Sequence, residues 1–249
     1  MRRFIGFIAL VLFAGPAFAA GNLADIAIHD RASGRALPVY ESGGRWFVAG
    51  KPGNEYHVTV RNRSAGDLLA VVSVDGVNVV SGETAAQWQS GYVIDRGRSL
   101  SIKGWRKSLE KVAAFYFTDL GDSYAARTGR PDNVGVIGVA VFKRKPEPVA
   151  ELEEFKARAD ASGSAAEQAP RSASAPQAAQ KSIGTGHGRV QASAARYVEF
   201  ERDSDAPSEL IAVHYDTYAN LVARGVIREE RRWPSPFPGG FVADPPGRG

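Results

Sequence analysis

The stretch Leu68-Leu69-Ala70-Val71-Val72-Ser73-Val74-Asp75-Gly76-Val77 decides the fold. Its first seven residues are almost continuously apolar, which suits a buried central strand. Asp75-Gly76 then ends the run. This pair accepts the positive φ angles of a type I′ turn, so Val77 should return as a hairpin. Working outward, Tyr56–Arg61 alternates apolar with polar at the period of a half-buried strand. Val112–Phe117 and Val134–Phe142 supply two more buried strands, and short strands fit Ile26–His29, Leu37–Tyr40, Arg45–Val48, Tyr92–Ile94 and Ser99–Ile102. Many short strands between Gly and Pro turns predict a mainly β protein, with an antiparallel β-sandwich or jelly roll over residues 22–145. One helical turn, Asp122–Arg127, should interrupt it before Gly129. Gly135 and Gly138 in the last strand mark a bulge or a close approach, most simply crowding by the core.

The flanks read differently. Met1-Arg2-Arg3, an apolar run from Phe4 to Phe13, Gly15-Pro16 and Ala17-Phe18-Ala19-Ala20 follow the plan of a secretory signal. Residues 1–19 are therefore expected to be removed, with cleavage after Ala19 or Ala20, placing the protein in the periplasm or outside the cell. The apolar run is shorter than the roughly 20 residues of a spanning helix. No transmembrane segment is expected after signal removal.

Residues 146–182 are rich in Ala, Ser, Pro and Gln, with Phe155 as their one aromatic residue. Such a composition buries too little apolar surface to offset its ordering entropy, so a disordered linker is expected, with at most a short helix over Val149–Ala159. Beyond it, residues 183–232 should form a small β-β-α unit. Its strands are Arg196–Glu201 and Glu209–Tyr215, and Asp216 should cap a short helix carrying Tyr218, Leu221 and Val222 on one face. Gly225 stops that helix, and Val226-Ile227 can pack back on it. Two strands and a helix make a small core. The unit is expected to dock on the sandwich by extending one of its sheets. Residues 233–249, with Trp233-Pro234-Ser235-Pro236-Phe237-Pro238, favour an extended tail.

Composition excludes several chemistries. The 249 residues carry no cysteine, 31 Lys+Arg and 27 Asp+Glu, for a net charge of +4. Without cysteine there is no thiol nucleophile, thiolate metal site or disulfide. The basic excess is mild and spread along strands, unlike a nucleic-acid surface, so no nucleic-acid partner is expected. His29, His57, His187 and His214 fall in four separate segments without a His-Glu-x-x-His spacing, so neither a metal nor another cofactor is expected. His29 and His57 read as exposed strand positions. His214 beside Tyr215 and Asp216 fits either a proton-transfer trio or a structural cluster.

Gly184-Thr185-Gly186-His187-Gly188-Arg189 can expose main-chain N–H groups to an anion. It lacks the Lys-Ser/Thr end of a phosphate loop and reads as a flexible junction, and as the first place to seek an active loop. No Gly-x-Ser-x-Gly elbow occurs. Asp75–Asn78 has oxygens for calcium, but the hairpin explains it better. Trp46, Trp88, Tyr92, Trp105 and Tyr124 lie near predicted turns or strand ends. Exposed rings in a row, with Arg106 as a polar partner, would suit sugar stacking or a protein hot spot.

Three blocks carry a resemblance: Val72–Gly82, Gly91-Tyr92-Val93-Ile94 with Gly104-Trp105-Arg106, and Asn133–Phe142. Together they resemble a family of exported, uncharacterised bacterial proteins over residues 54–142. The resemblance implies a β-rich fold and an envelope setting, and no activity.

The leading expectation is a non-catalytic exported sandwich that binds an envelope protein or glycan through Trp88, Tyr92, Trp105 and Arg106. A second is an envelope hydrolase using His187, His214 and Asp216 where the C-terminal unit meets the sandwich. A third is a structural protein that self-associates through an edge strand.

Overall fold

The computed structural model describes residues 19–146 and 182–228. Residues 1–18, 147–181 and 229–249, which hold most of the expected signal and linker and all of the expected tail, lie outside the described residues. The chain opens with β1 (Ala19–Ala20) and β2 (Ala24–Asp30), then β3 (Val39–Ser42), β4 (Arg45–Gly50), β5 (Glu55–Asn62) and β6 (Leu68–Val74). Next come β7 (Val77–Asn78), β8 (Tyr92–Ile94), β9 (Ser99–Ile102), β10 (Gly104–Arg106) and β11 (Lys111–Asp119). A short helix α1 (Tyr124–Arg127) precedes β12 (Val136–Lys143). The C-terminal part supplies β13 (Ile183–Ala192), β14 (Glu209–Thr217) and α2 (Tyr218–Ala223).

The fold is mainly β, in two seven-stranded sheets. The first runs β1-β2-β5-β11-β10, with β9 beside β5 and β13 beside β11; the second runs β3-β4-β14-β12-β6-β7, with β8 beside β6. Among the described residues the parallel pair is β4 with β14, and the other ladders are antiparallel. Ile26, Ile28, Val58, Phe115 and Phe117 of the first sheet pack on Val72, Val74, Ile137, Val139 and Val213 of the second in one buried core. The deciding stretch behaves as read. β6 lies between β12 and the β7/β8 edge, and Asp75 (φ 52°) with Gly76 (φ 71°) makes the two-residue turn into β7.

The C-terminal elements are built into both sheets. β13 runs along β11, while β14 lies between β4 and β12. Glu209 at the head of β14 ties the sheets together by accepting main-chain N–H groups of Asn22, Leu23 and Ala24 at 2.5, 2.9 and 3.2 Å. On the outer face of the second sheet, Leu221 and Ile227 bury Phe47. The helix cap is Thr217, whose Oγ1 accepts from Asn220 N at 3.1 Å, one residue later than expected.

Two local readings need correction. The glycine-rich run 184–188 is strand, because its alternate glycines admit bulky neighbours. A Cβ on Gly186 would lie 2.2 Å from Tyr116 Cζ, and one on Gly184 2.5 Å from Ser123 Cβ. Arg196–Glu201, read as a strand, is extended but belongs to no sheet. Near its end Lys145 N donates to Glu201 O and Arg144 bridges to Arg202.

Candidate functional site

A groove of about 930 Å³ lies at one side of the sandwich, where the edge strands β8 and β9 and the end of β10 meet the loop at Trp88 and the extended chain 193–200. Two arginines shape it. Arg202 donates to the carbonyls of Gln87, Trp88 and Gln89 at 3.1, 3.1 and 2.7 Å, with its guanidinium 4.1 Å over the Phe142 ring. Asn78 of the β7 hairpin donates to Gln89 Oε1 at 3.1 Å from the other side. The loop is thus pinned while the Trp88 ring stays 75% exposed. Arg106 donates to Tyr92 OH from Nε and Nη2, both 3.1 Å, and from Nη1 to Ser193 O at 2.6 Å. It therefore fastens the extended chain to the β8 edge. Farther along that chain Tyr197 is 88% exposed.

Of the expected binding residues, Trp88, Tyr92 and Arg106 line this groove. Trp105 does not, and this corrects its assignment. Strand alternation turns it inward as Arg106 faces out: it is buried, meets Phe115 edge-on at 5.1 Å and donates Nε1–H to Gly186 O at 3.3 Å. Charge in the groove is one-sided. Arg106, Lys107, Arg144, Arg196 and Arg202 line it against Asp95. Arg144 is paired with Asp67 at 3.4 Å, whereas Arg106, Lys107 and Arg196 form no ion pair with a carboxylate among the described residues.

The hydrolase residues do not meet. His187 lies on β13 in the first sheet, its ring 5.5 Å from that of Tyr124. His214 sits on β14 in the second, beside Phe47 at 5.4 Å. Asp216 accepts from Thr217 N and Asn220 Nδ2 and faces Arg224 at 3.4 Å. No hydrogen bond joins any two of the three. Burial lowers the pKa of both His187 and His214 by disfavouring their charged forms. Among the described residues no three His, Asp or Glu are grouped to hold a metal ion.

Sequence reasoning missed a different polar cluster. The Asp75 side chain is buried between the sheets. Its Oδ1 accepts from Tyr215 OH at 2.5 Å and Gly135 N at 2.9 Å, and Oδ2 accepts from Thr185 N at 2.8 Å. Thr185 Oγ1 bonds Tyr215 OH at 2.7 Å and Tyr56 OH at 2.6 Å. The cluster thereby joins the two sheets: β5 and β13 on one side, β14 and the β6–β7 turn on the other. Burial pushes the Asp75 carboxyl up to about 6 against the opposing pull of these donors. Asp75-Gly76 signalled a turn, and nothing in the sequence marked the side chain as buried.

No family model matches this chain, nor does any curated protein or solved structure.

Proposed function

We propose that this is an exported, non-catalytic binding protein of the bacterial envelope, and that it holds a negatively charged ligand in the Trp88–Tyr197 groove. Export rests on the signal-like start, and the envelope setting on that start and on the family resemblance. The observation that carries the reading is the lining itself: five basic side chains against one acidic, with Trp88 and Tyr197 exposed beside them. Cations without carboxylate partners attract an anion, and open rings provide stacking area at little entropic cost. His187 lies in the other sheet from His214 and Asp216, and no hydrogen bond joins any two of the three, so their geometry lends the hydrolase reading no support.

Titration of the full chain with polyglutamate and with polygalacturonate, against neutral dextran, tests the reading. At least one polyanion should bind and dextran should not, with affinity falling as salt rises. Failure of both polyanions to bind at low ionic strength would falsify it.

A further inference from the structure

The groove holds a length of main chain that has no partner strand among the described residues. Tyr197-Val198-Glu199-Phe200 has strand-forming composition, with aromatic and β-branched residues, yet lies in no sheet. The main-chain N–H and C=O groups of Tyr197 and Val198 make no hydrogen bond among the described residues, and both side chains are exposed. Both ends of the segment are fixed: Arg106 holds Ser193 O at 2.6 Å, and Arg144 Nη1 donates to Glu199 O at 3.2 Å. An extended, anchored and unpaired segment is a ready template for strand addition.

Resting on the groove reading above, we infer that its occupant is an acidic polypeptide segment that adds as a strand alongside residues 196–200. Main-chain pairing satisfies the open groups of Tyr197 and Val198, which a saccharide cannot match at the repeat of a β-strand. The charge of the occupant follows from Arg106, Lys107 and Arg196, which have no carboxylate partner among the described residues. Trp88 and Tyr197 then cover its alternate apolar side chains.

The test uses the full chain and four probes: a ten-residue peptide alternating Glu with Val, two versions N-methylated at either the Glu or the Val amides, and an oligogalacturonate of similar charge. A strand added to one edge donates only every second amide to it. The unmodified peptide should bind, one methylated version should bind at least tenfold more weakly, and the other should bind nearly as well. Lys107→Glu with Arg196→Glu should also weaken the unmodified peptide at least tenfold. Equal binding of the two methylated versions, or an oligogalacturonate bound as tightly as the peptide, overturns strand addition but leaves an anion-binding groove. If no polyanion binds, the groove reading fails as well.

Discussion

The groove and the Asp75 cluster are both polar regions of the sandwich, and they differ in how their polar atoms are used. Around Asp75 every hydroxyl, carboxylate oxygen and facing amide has a partner inside the protein. In the groove, Tyr197 and Val198 leave their main chain open, and Lys107 and Arg196 have no ion-pair partner among the described residues. A closed network removes the desolvation penalty of its own members and has nothing left for a ligand. An open set pays that penalty only when something arrives. The contrast assigns stability to one region and binding to the other, so substitutions should separate the two properties.

The sharpest break is Asp75→Ala. It strands the amides of Gly135 and Thr185 in the core, leaves the Tyr215 hydroxyl with Thr185 Oγ1 alone, and places alanine at a positive φ angle. The expected loss is about 3–5 kcal/mol in denaturant unfolding. A loss below about 1 kcal/mol would show that the network is incidental.

Protonation tests the same region more gently. The Asp75 carboxyl sits at about 6 in the folded protein and near 3.8 when free. The native state therefore holds this proton more tightly than the unfolded chain does. Its contribution is fully present below about pH 4 and lost as pH rises through about 6, an effect of roughly 3 kcal/mol at most. A protonated Oδ1 can donate to Tyr215 OH, whose hydrogen then turns to Thr185 Oγ1 and that of Thr185 to Tyr56 OH, which leaves the Tyr56 hydroxyl hydrogen at the open end of the chain. His57 acts in the opposite sense over much of that window, since burial, and then the charges of His29, Arg31 and Lys103, lower it to about 4. Comparison with an Asp75→Asn variant cancels the His57 contribution. The stability of the native protein relative to that variant should rise as pH falls from about 6 to about 4. A flat difference breaks the assignment.

How much of this was legible depends on what each residue's signal measures. The β6 run, the Asp75-Gly76 turn and the strand at Glu209–Tyr215 were readable, because local periodicity and turn chemistry are written in neighbouring residues. β13 was not, because its alternation is written in glycine. Hydrophobic patterning cannot see a strand whose side chains are missing to make room for Tyr116 and Ser123. Residues 196–201 erred the other way: they have the alternation of a strand but no neighbouring strand among the described residues. For the site, Trp88, Tyr92 and Arg106 came from residue type and turn position. The inward turn of Trp105 and the burial of Asp75 depend on contacts 81 and 110 residues away in sequence, which no local pattern encodes.

Gly186→Ala forces a methyl group to within 2.2 Å of the Tyr116 ring, so the ring or the strand must shift. Overpacking of this kind costs about 1–3 kcal/mol. Tyr116→Ala in the same chain should recover part of the loss by opening the space. If Gly186→Ala alone is neutral, the glycines of β13 serve something other than packing.

The smallest effect on stability belongs to Trp88, and it is the most informative about the groove. Its ring is 75% exposed, and the loop beneath it is held through main-chain carbonyls by Arg202, which do not depend on the side chain at position 88. Trp88→Ala should therefore leave unfolding within about 0.5 kcal/mol of the native protein. Binding of the acidic peptide should nevertheless weaken at least tenfold, since truncating an aromatic anchor removes contact area that only the complex uses. Arg202→Ala is the counterpart: it frees the loop and should lose both stability and binding. A Trp88→Ala protein that unfolds much more easily would mean the ring is part of the fold, and the division between a closed structural network and an open binding surface would no longer hold.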